Sequence, residues 1–300
     1  MSNLYERIFS ASIPFRWIDL DYTDSESYEE LQKHIQDASI VESIVRDDTR
    51  PRFHRLQHGF LLFLRGINHN DGAHPEDMVS LRIYSTKDIV ITAHRRELAS
   101  ISLLRTSTDM EGCTVEDFVI RIIEEVNERI SLYLDTISTN VEQIEDAIHE
   151  DIDETHKHSL AIYRKNLHQI KRYVLSQKEA IEHLFRYWKE GLTNEQDLSL
   201  HDNIDHLTYM IEENTLLVER ILILENLFAN RLIEKQNVRI YLLSIISGIF
   251  LPLTFITGLF GMNTTDMPFS VEAGGFLKII ILIVVVGIIS GIFLRIKKWL

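Results

Sequence analysis

The 300-residue chain holds a single cysteine, Cys113. One thiol closes no intramolecular disulfide, so the fold must rest on its core, as suits a reducing compartment. Proline is almost as scarce: after Pro14, Pro51 and Pro75 there is none until Pro252, and between the last two only Gly112, Gly191 and Gly248 interrupt as glycines. With both helix breakers rare, long helices are predicted there. Met1 to Arg16 offers no basic start followed by an apolar core, so no secretory signal is expected. A phosphate loop, a nucleophile elbow and a His-Glu-x-x-His pattern are all missing, and neither enzymatic activity nor a cofactor is expected. Positive charge is in deficit too, 31 Lys and Arg against 45 Asp and Glu, a formal net charge of −14. Such a field repels nucleic acid, which is not an expected partner, and gathers cations.

The first hundred residues read differently from the rest. Ile13 to Leu20, Phe60 to Ile67, Met78 to Tyr84 and Asp88 to His94 are short, β-branched or aromatic, and separated by turn formers such as His69-Asn-Asp-Gly72. They predict strands in a mixed sheet with helices, an α+β module. Helix starts are predicted at Thr114, with Asp117 three residues on, and near Thr193-Asn194, and a helix end at Gly191.

Charge is missing altogether from Tyr241 to Phe260, and Leu277 to Leu294 carries only Lys278. Crossing about 30 Å of hydrocarbon takes about 20 helical residues, so both stretches qualify as membrane spans. A buried hairpin of a soluble protein would have to hide both behind a polar domain. Arg231, Lys235 and Arg239 precede the first span and Arg295, Lys297 and Lys298 follow the second, while the loop between has no cation before Lys278. By that asymmetry both termini are expected in the cytoplasm of a cell bounded by an inner or plasma membrane. The expected organisation is a cytosolic α/β module over 1–112, long cytosolic helices over 113–204, a stalk helix over 205–240, and the first span over 241–260. An external loop over 261–276, the second span over 277–294 and a basic tail over 295–300 complete it.

From about Asp205 to Phe260 nothing clearly stops a helix except a kink at Pro252. Read at alternating spacings of four and three, it gives Asn226, Asn230, Ile233, Asn237, Ile240, Ser244, Ser247, Leu251, Thr254 and Gly258. Polar and small residues therefore share one stripe. Two uses stay open at this point. A symmetric bundle could line a pore with such a stripe; alternatively, small and hydroxylated residues pack helices closely and Asn fixes register. A helix of this length needs partners in either case, so self-association is expected.

At the end of the stripe stands Gly261-Met262-Asn263, after Leu251-Pro-Leu-Thr-Phe-Ile-Thr-Gly-Leu-Phe260 and before the second span. Stripe, glycine turn and asparagine together resemble the CorA superfamily of divalent-cation transporters, whose signature is Gly-Met-Asn at the outer end of the first of two C-terminal spans. The resemblance covers the whole chain. It implies a funnel-shaped homopentamer with the stalk continuing into the pore-lining span. Gly261, Met262 and Asn263 would form the selectivity filter, and Thr254, Leu251, Ser247, Ser244, Ile240, Asn237, Ile233 and Asn226 would line the pore. Five Asn263 amides would then accept hydrogen bonds from the water shell of an ion that dehydrates reluctantly.

Within that superfamily Thr49-Arg-Pro-Arg-Phe53, Gly59-Phe-Leu-Leu-Phe-Leu-Arg-Gly-Ile-Asn68, Pro75-Glu-Asp-Met-Val-Ser-Leu-Arg-Ile-Tyr84 and His94-Arg-Arg-Glu97 look most like the zinc-transporter branch, ZntB. This implies Zn²⁺ as the substrate and uptake coupled to the proton gradient. Met262 stands where that branch has Ile, and Met267-Pro268 resembles the magnesium branch, so a magnesium or cobalt channel is the alternative. A membrane-anchored cytosolic metal sensor, with the hairpin as a mere tether, is the alternative of another class.

Three further groups invite a ligand. Glu150, Asp151, Asp153 and Glu154 form an acidic tip that would concentrate cations by charge alone. His201, Asp202, Asp205 and His206 approach the spacing of a regulatory metal site between subunits. Arg50, Arg52 and Arg55 with Arg95 and Arg96 could bind an anion or pair with the abundant carboxylates.

Overall fold

A computed structural model of the chain describes residues 4–10, 13–47, 50–108, 110, 112–150, 154–262, 268 and 274–297, with only the backbone described at 148–150 and 154. The chain falls into two units, Met1–Glu225 and Asn226–Leu300.

The first unit is built on a six-stranded mixed sheet. Its strands are β1 (Leu4–Phe9), β2 (Phe15–Asp21), β3 (Arg52–Leu56), β4 (Gly59–Gly66), β5 (Val79–Ser85) and β6 (Ile89–His94), in the order β1-β2-β6-β5-β4-β3. Only β2 and β6 are parallel, with Ile18 opposite Ile91; all other neighbours are antiparallel. The burial of β4 from Phe60 to Gly66 without a break shows a strand covered on both faces. One face carries α1 (Ser25–His34) and α2 (Ala38–Val45), whose Leu31, Val41 and Ile44 join Ile18, Leu20, Phe63 and Ile91 in one core. Helix α2 starts where Asp37 accepts a hydrogen bond from the Ser39 amide at 2.9 Å. On β2 the alternate residues Phe15 and Trp17 meet Phe118 with ring centroids 5.8 and 4.8 Å apart, and Phe9 stacks on Phe15.

Phe118 belongs to α4 (Val115–Glu150), which follows α3 (Ala99–Thr106) and precedes α5 (Glu154–Trp188) and α6 (Asn194–Phe260). The two predicted helix starts are paired capping boxes. Asp117 Oδ2 accepts from the Thr114 amide at 2.9 Å while Thr114 Oγ1 accepts from the Asp117 amide at 3.2 Å, and Thr193 and Gln196 repeat the exchange at 3.0 and 3.3 Å. They also interlock, since Gln196 Nε2 donates to Asp117 Oδ1 at 2.6 Å. Thr193 caps the last long helix, which begins at Asn194 as that start predicts and runs on through Asp205 to Phe260.

In the first unit α6 buries Leu200, Asn203, Leu207, Met210, Asn214, Leu217, Ile221 and Leu224, again at spacings of three and four. A buried amide chain crosses this packing: Gln177 accepts from the Arg65 amide at 2.8 Å and donates to Asn127 at 2.9 Å, and Asn127 donates to Asn203 at 3.1 Å. Unpaired amides inside a core cost about 1–3 kcal/mol each, so the chain fixes β4, α4, α5 and α6 in one register. The second unit consists of α6 from Asn226 onward and α7 (Gly275–Ile296).

Candidate functional site

The described helices long and apolar enough to cross a membrane are α6, in its C-terminal part, and α7. Their apolar windows are almost wholly unburied, so this surface is at most partly covered within the chain itself. In the second unit the two helices approach where they lack side chains. A Cβ on Gly248 would sit 3.6 Å from Leu294 Cδ2, and one on Gly287 would sit 3.7 Å from Leu253 Cδ2. Small residues allow such approach where no hydrophobic effect operates between helices.

The partly covered residues of α6 in its apolar part are Ile245, Ile249, Pro252, Leu253, Ile256 and Phe260, one face at spacings of three and four. The stripe is on another face. Ser244, Ser247, Leu251, Thr254 and Gly258 are all exposed, Leu251 by 72%. Asn226, Asn230, Ile233, Asn237 and Ile240 continue it, equally exposed. Ser244 Oγ donates to the Ile240 carbonyl at 2.8 Å, the local back-bond that satisfies a hydroxyl's proton within its own helix.

Exposure also extends this seam toward the N-terminus. Ile223, Leu216 and Tyr209, each seven residues from the next, are about as exposed as Ile240. The spacing was legible in the sequence; the signal that was missed is three large apolar residues placed opposite the buried seam.

At the stripe's C-terminal end the Gly261 amide donates to the Thr257 carbonyl at 2.9 Å, and a Cβ on Gly261 would lie 3.1 Å from that oxygen. Gly261 is not among the glycines of positive φ, so the close carbonyl, and not a left-handed turn, favours glycine there. Met262 is exposed, and Asn263 lies outside the described residues.

The other candidates divide. Asp151 and Asp153 of the acidic tip, and the side chains of Glu150 and Glu154, lie outside the described residues; nearby Glu142 and Glu145 face Arg220, with Glu145 Oε2 2.7 Å from Arg220 Nε. His201 and Asp202 point to different sides of α6. The His201 ring meets Phe185 at 4.4 Å and its Nδ1 lies 3.0 Å from the Asp197 carbonyl, whereas Asp202 and His206 line a groove with Glu124, Glu125 and Glu128. Residues one apart on a helix differ by about 100°, so the four do not converge within one chain. Among the described residues no three His, Cys, Asp or Glu side chains form a metal-holding group.

Of the arginines, Arg52 bonds Ser43 and covers Phe63, and Arg55 covers Tyr187. Arg95 and Arg96 instead share a cavity with Arg65 and Arg82. Sequence reasoning missed the last two, although a cation inside a strand as apolar as Phe60 to Gly66 was a signal.

Residues 14–298 match the family described as CorA-like Mg2+ transporter protein. The chain belongs to this CorA-like family. It is thus a divalent-cation transporter, and two of its described helices are long and apolar enough to cross a membrane. Among its relatives, the "Divalent cation transporter CmaX" of Pseudomonas aeruginosa is 32% identical over 86% of this chain and 79% of that protein. The "Zinc transport protein ZntB" of Vibrio parahaemolyticus is 34% identical over 76% and 71%, and that of Yersinia pseudotuberculosis 27% over 98% and 90%. The solved structure of full-length CmaX superposes with a TM-score of 0.84, covering 100% of this chain and 99% of that one at 25% identity. The CorA magnesium transporter of Methanocaldococcus jannaschii shares the fold, with a TM-score of 0.83 at 18% identity.

Proposed function

We propose that this CorA-like chain assembles as a homopentamer in the inner membrane and transports zinc, with the stripe from Asn226 to Thr254 lining the pore. Gly261, Met262 and Asn263 form its outer filter, the spans are 241–260 and 277–294, and both termini lie in the cytoplasm. One observation supports the pore assignment: Ser244, Ser247, Thr254 and Gly258 of α6 are exposed and lie off the partly covered face of Ile245, Ile249, Leu253 and Ile256, whereas Gly248 is the small residue that meets α7. A tether needs no such segregation, which counts against a sensor anchored by an inert hairpin. An open amide and hydroxyl face suits a hydrated dication, because Mg²⁺ and its peers keep their waters unless the site repays dehydration. The exposed seam of Tyr209, Leu216 and Ile223 supports self-association. Zinc rests on the ZntB relatives, and proton coupling on the same branch; magnesium is the second reading, favoured by Met262 in the signature.

The test is uptake by purified protein in liposomes, with zinc and magnesium supplied separately, each with and without an inward proton gradient. Zinc flux that rises with the gradient is expected. Gradient-independent magnesium flux would make the chain a magnesium channel. Asn263→Ala should abolish flux and leave assembly intact; unchanged flux would refute the filter.

A further inference from the structure

In the first unit, Arg82 on β5 is the most enclosed cation of the sheet, only 2% exposed. Its Nη1 donates to the Ser80 carbonyl at 3.1 Å, its Nη2 to the Arg46 carbonyl at 2.9 Å, and the guanidinium covers the Tyr22 ring at 4.4 Å. These partners are neutral. Among the described residues no carboxylate lies within ion-pair distance of it, and its Nε is buried with no acceptor. Burial pulls its pKa below the usual arginine value, the mark of a charge held without full compensation. Taking such an ion out of water costs several kcal/mol unless a counter-charge returns it.

The counter-charge has a place to go. Arg82 lines a cavity of about 380 Å³ together with Arg65, Arg95 and Arg96. Strand register makes the cluster: Arg65 sits opposite Ser80, two residues from Arg82 on the same face, and β6 delivers Arg95 and Arg96 just past its end. Arg65 is nearly buried and donates to the Met78 carbonyl at 2.6 Å; Arg95 and Arg96 are exposed at the rim. Asp47 and Asp77 also line the cavity, leaving four guanidinium groups against two carboxylates among the described residues. Asp47 is engaged with Arg95 at 3.1 Å, but both side chains are well exposed, and a pair so solvated yields readily to a better anion.

We infer that this cavity is a binding site for a condensed phosphate, with Arg82 and Arg65 as its floor and Arg95 and Arg96 as its clamp. Guanidinium groups match phosphate oxygens in fork geometry, and a diphosphate presents enough oxygens to engage both floor and rim. The volume falls within the usual range for small-ligand sites, about 300–1,000 Å³, and exceeds what one phosphate ion would fill. Free pyrophosphate and the phosphates of a nucleotide share this chemistry. The site is independent of the ion pathway, so its failure would leave the transport reading untouched.

The test uses the full-length protein in detergent, free of metal and at constant ionic strength, titrated with pyrophosphate, ATP, inorganic phosphate and sulfate while thermal stability and heat are followed. Saturable stabilisation by pyrophosphate is expected, with orthophosphate and sulfate at least tenfold weaker. Equal affinity for ATP and pyrophosphate would show that the phosphates alone are recognised, and tighter binding of ATP would place a nucleotide on the same arginines. The surface variant R95Q/R96Q should unfold at the wild-type temperature without anion and bind pyrophosphate at least tenfold more weakly. No saturable binding of pyrophosphate, binding of ATP with pyrophosphate inert, or unchanged affinity in R95Q/R96Q would each overturn the proposal.

Discussion

Replacing Asp19 by asparagine should destabilise the first unit by about 3–5 kcal/mol, the cost of stripping one partner from a buried charge pair. The residue is fully buried in β2. Its carboxylate accepts from Thr92 Oγ1 at 2.5 Å and from Arg105 Nε at 2.8 Å, has a second contact with the Arg105 guanidinium, and lies 3.3 Å from His94 Nε2. Trp17 Nε1 donates to the same Thr92 hydroxyl at 2.9 Å, so β2, β6 and α3 converge on one charge. Asparagine keeps the shape but puts an amino group where these donors need an acceptor. For a domain of this size 1 kcal/mol is worth about 2–4 °C, which places the loss at roughly 6–20 °C in a thermal melt of the full-length protein followed by tryptophan fluorescence.

The pH dependence gives an independent check. Burial alone would raise the Asp19 pKa, but the hydrogen bond and charge of His94, the charge of Arg105 and the Thr92 hydroxyl together hold it below the ordinary carboxylate value. A lowered folded-state pKa means a contribution that is complete above the unfolded-state value, about 3.9, and lost as pH falls through the folded value. The gap between wild type and D19N should therefore close below about pH 4. A loss under about 2 °C, or a D19N/R105Q loss equal to the sum of the single losses, would refute the assignment of that energy to the pair.

Three further outcomes are expected. Gly248→Ala should be nearly neutral, since its Cβ would meet Leu294 at an ordinary 3.6 Å, whereas G248L should overpack the α6–α7 contact by about 1–3 kcal/mol and lower the yield of assembled protein on size exclusion. Cys113, whose thiol is pushed up to about 12 chiefly by burial and then by the Asp117 carboxylate, should alkylate far more slowly at pH 8 than glutathione; equal rates would contradict its enclosure. Thr254→Leu should reduce ion flux at unchanged assembly, because it replaces a hydroxyl of the open face with an apolar group, and unaltered flux would remove Thr254 from the pathway.

Legibility in the sequence followed burial. Strands β2, β4, β5 and β6 lie inside the sheet and carry the apolar runs that announced them. β1 and β3 are its two edges, and Arg52-Phe-His-Arg-Leu56 reads as polar because an edge faces water. The capping boxes at Thr114 and Thr193 were visible because a cap is local chemistry. The arginine cavity was not, since Arg65, Arg82 and Arg95 come together only through the pairing of β4, β5 and β6, which no local pattern records. In the histidine and aspartate group at 201–206, Asp202 and His206 share one groove while His201 turns to Phe185, because adjacent positions on a helix diverge by about 100°.

The two seams of α6 explain why its chemistry changes along one geometry. The seam from Leu200 to Leu224 is buried within the chain, while the seam through Tyr209, Leu216, Ile223, Asn230, Asn237, Ser244 and Leu251 is exposed throughout. In water, association is driven by apolar burial, so the proposed contact with other copies is apolar at Tyr209, Leu216 and Ile223. In lipid, apolar residues gain nothing by leaving one hydrocarbon for another, and small or polar residues hold helices together or face an aqueous path. The same spacing therefore carries Tyr, Leu and Ile before the apolar part of α6 and Ser and Thr within that part. If the exposed seam is a contact between copies, Leu216→Asp removes about 1.5–3 kcal/mol of burial per copy and adds clustered charge, and the oligomer should dissociate on native mass measurement while each chain stays folded. Because Leu216 lies outside the core of its own chain, an oligomer that survives L216D would mean that the N-terminal part of the seam faces solvent, leaving the later part of α6 and α7 to hold the copies together.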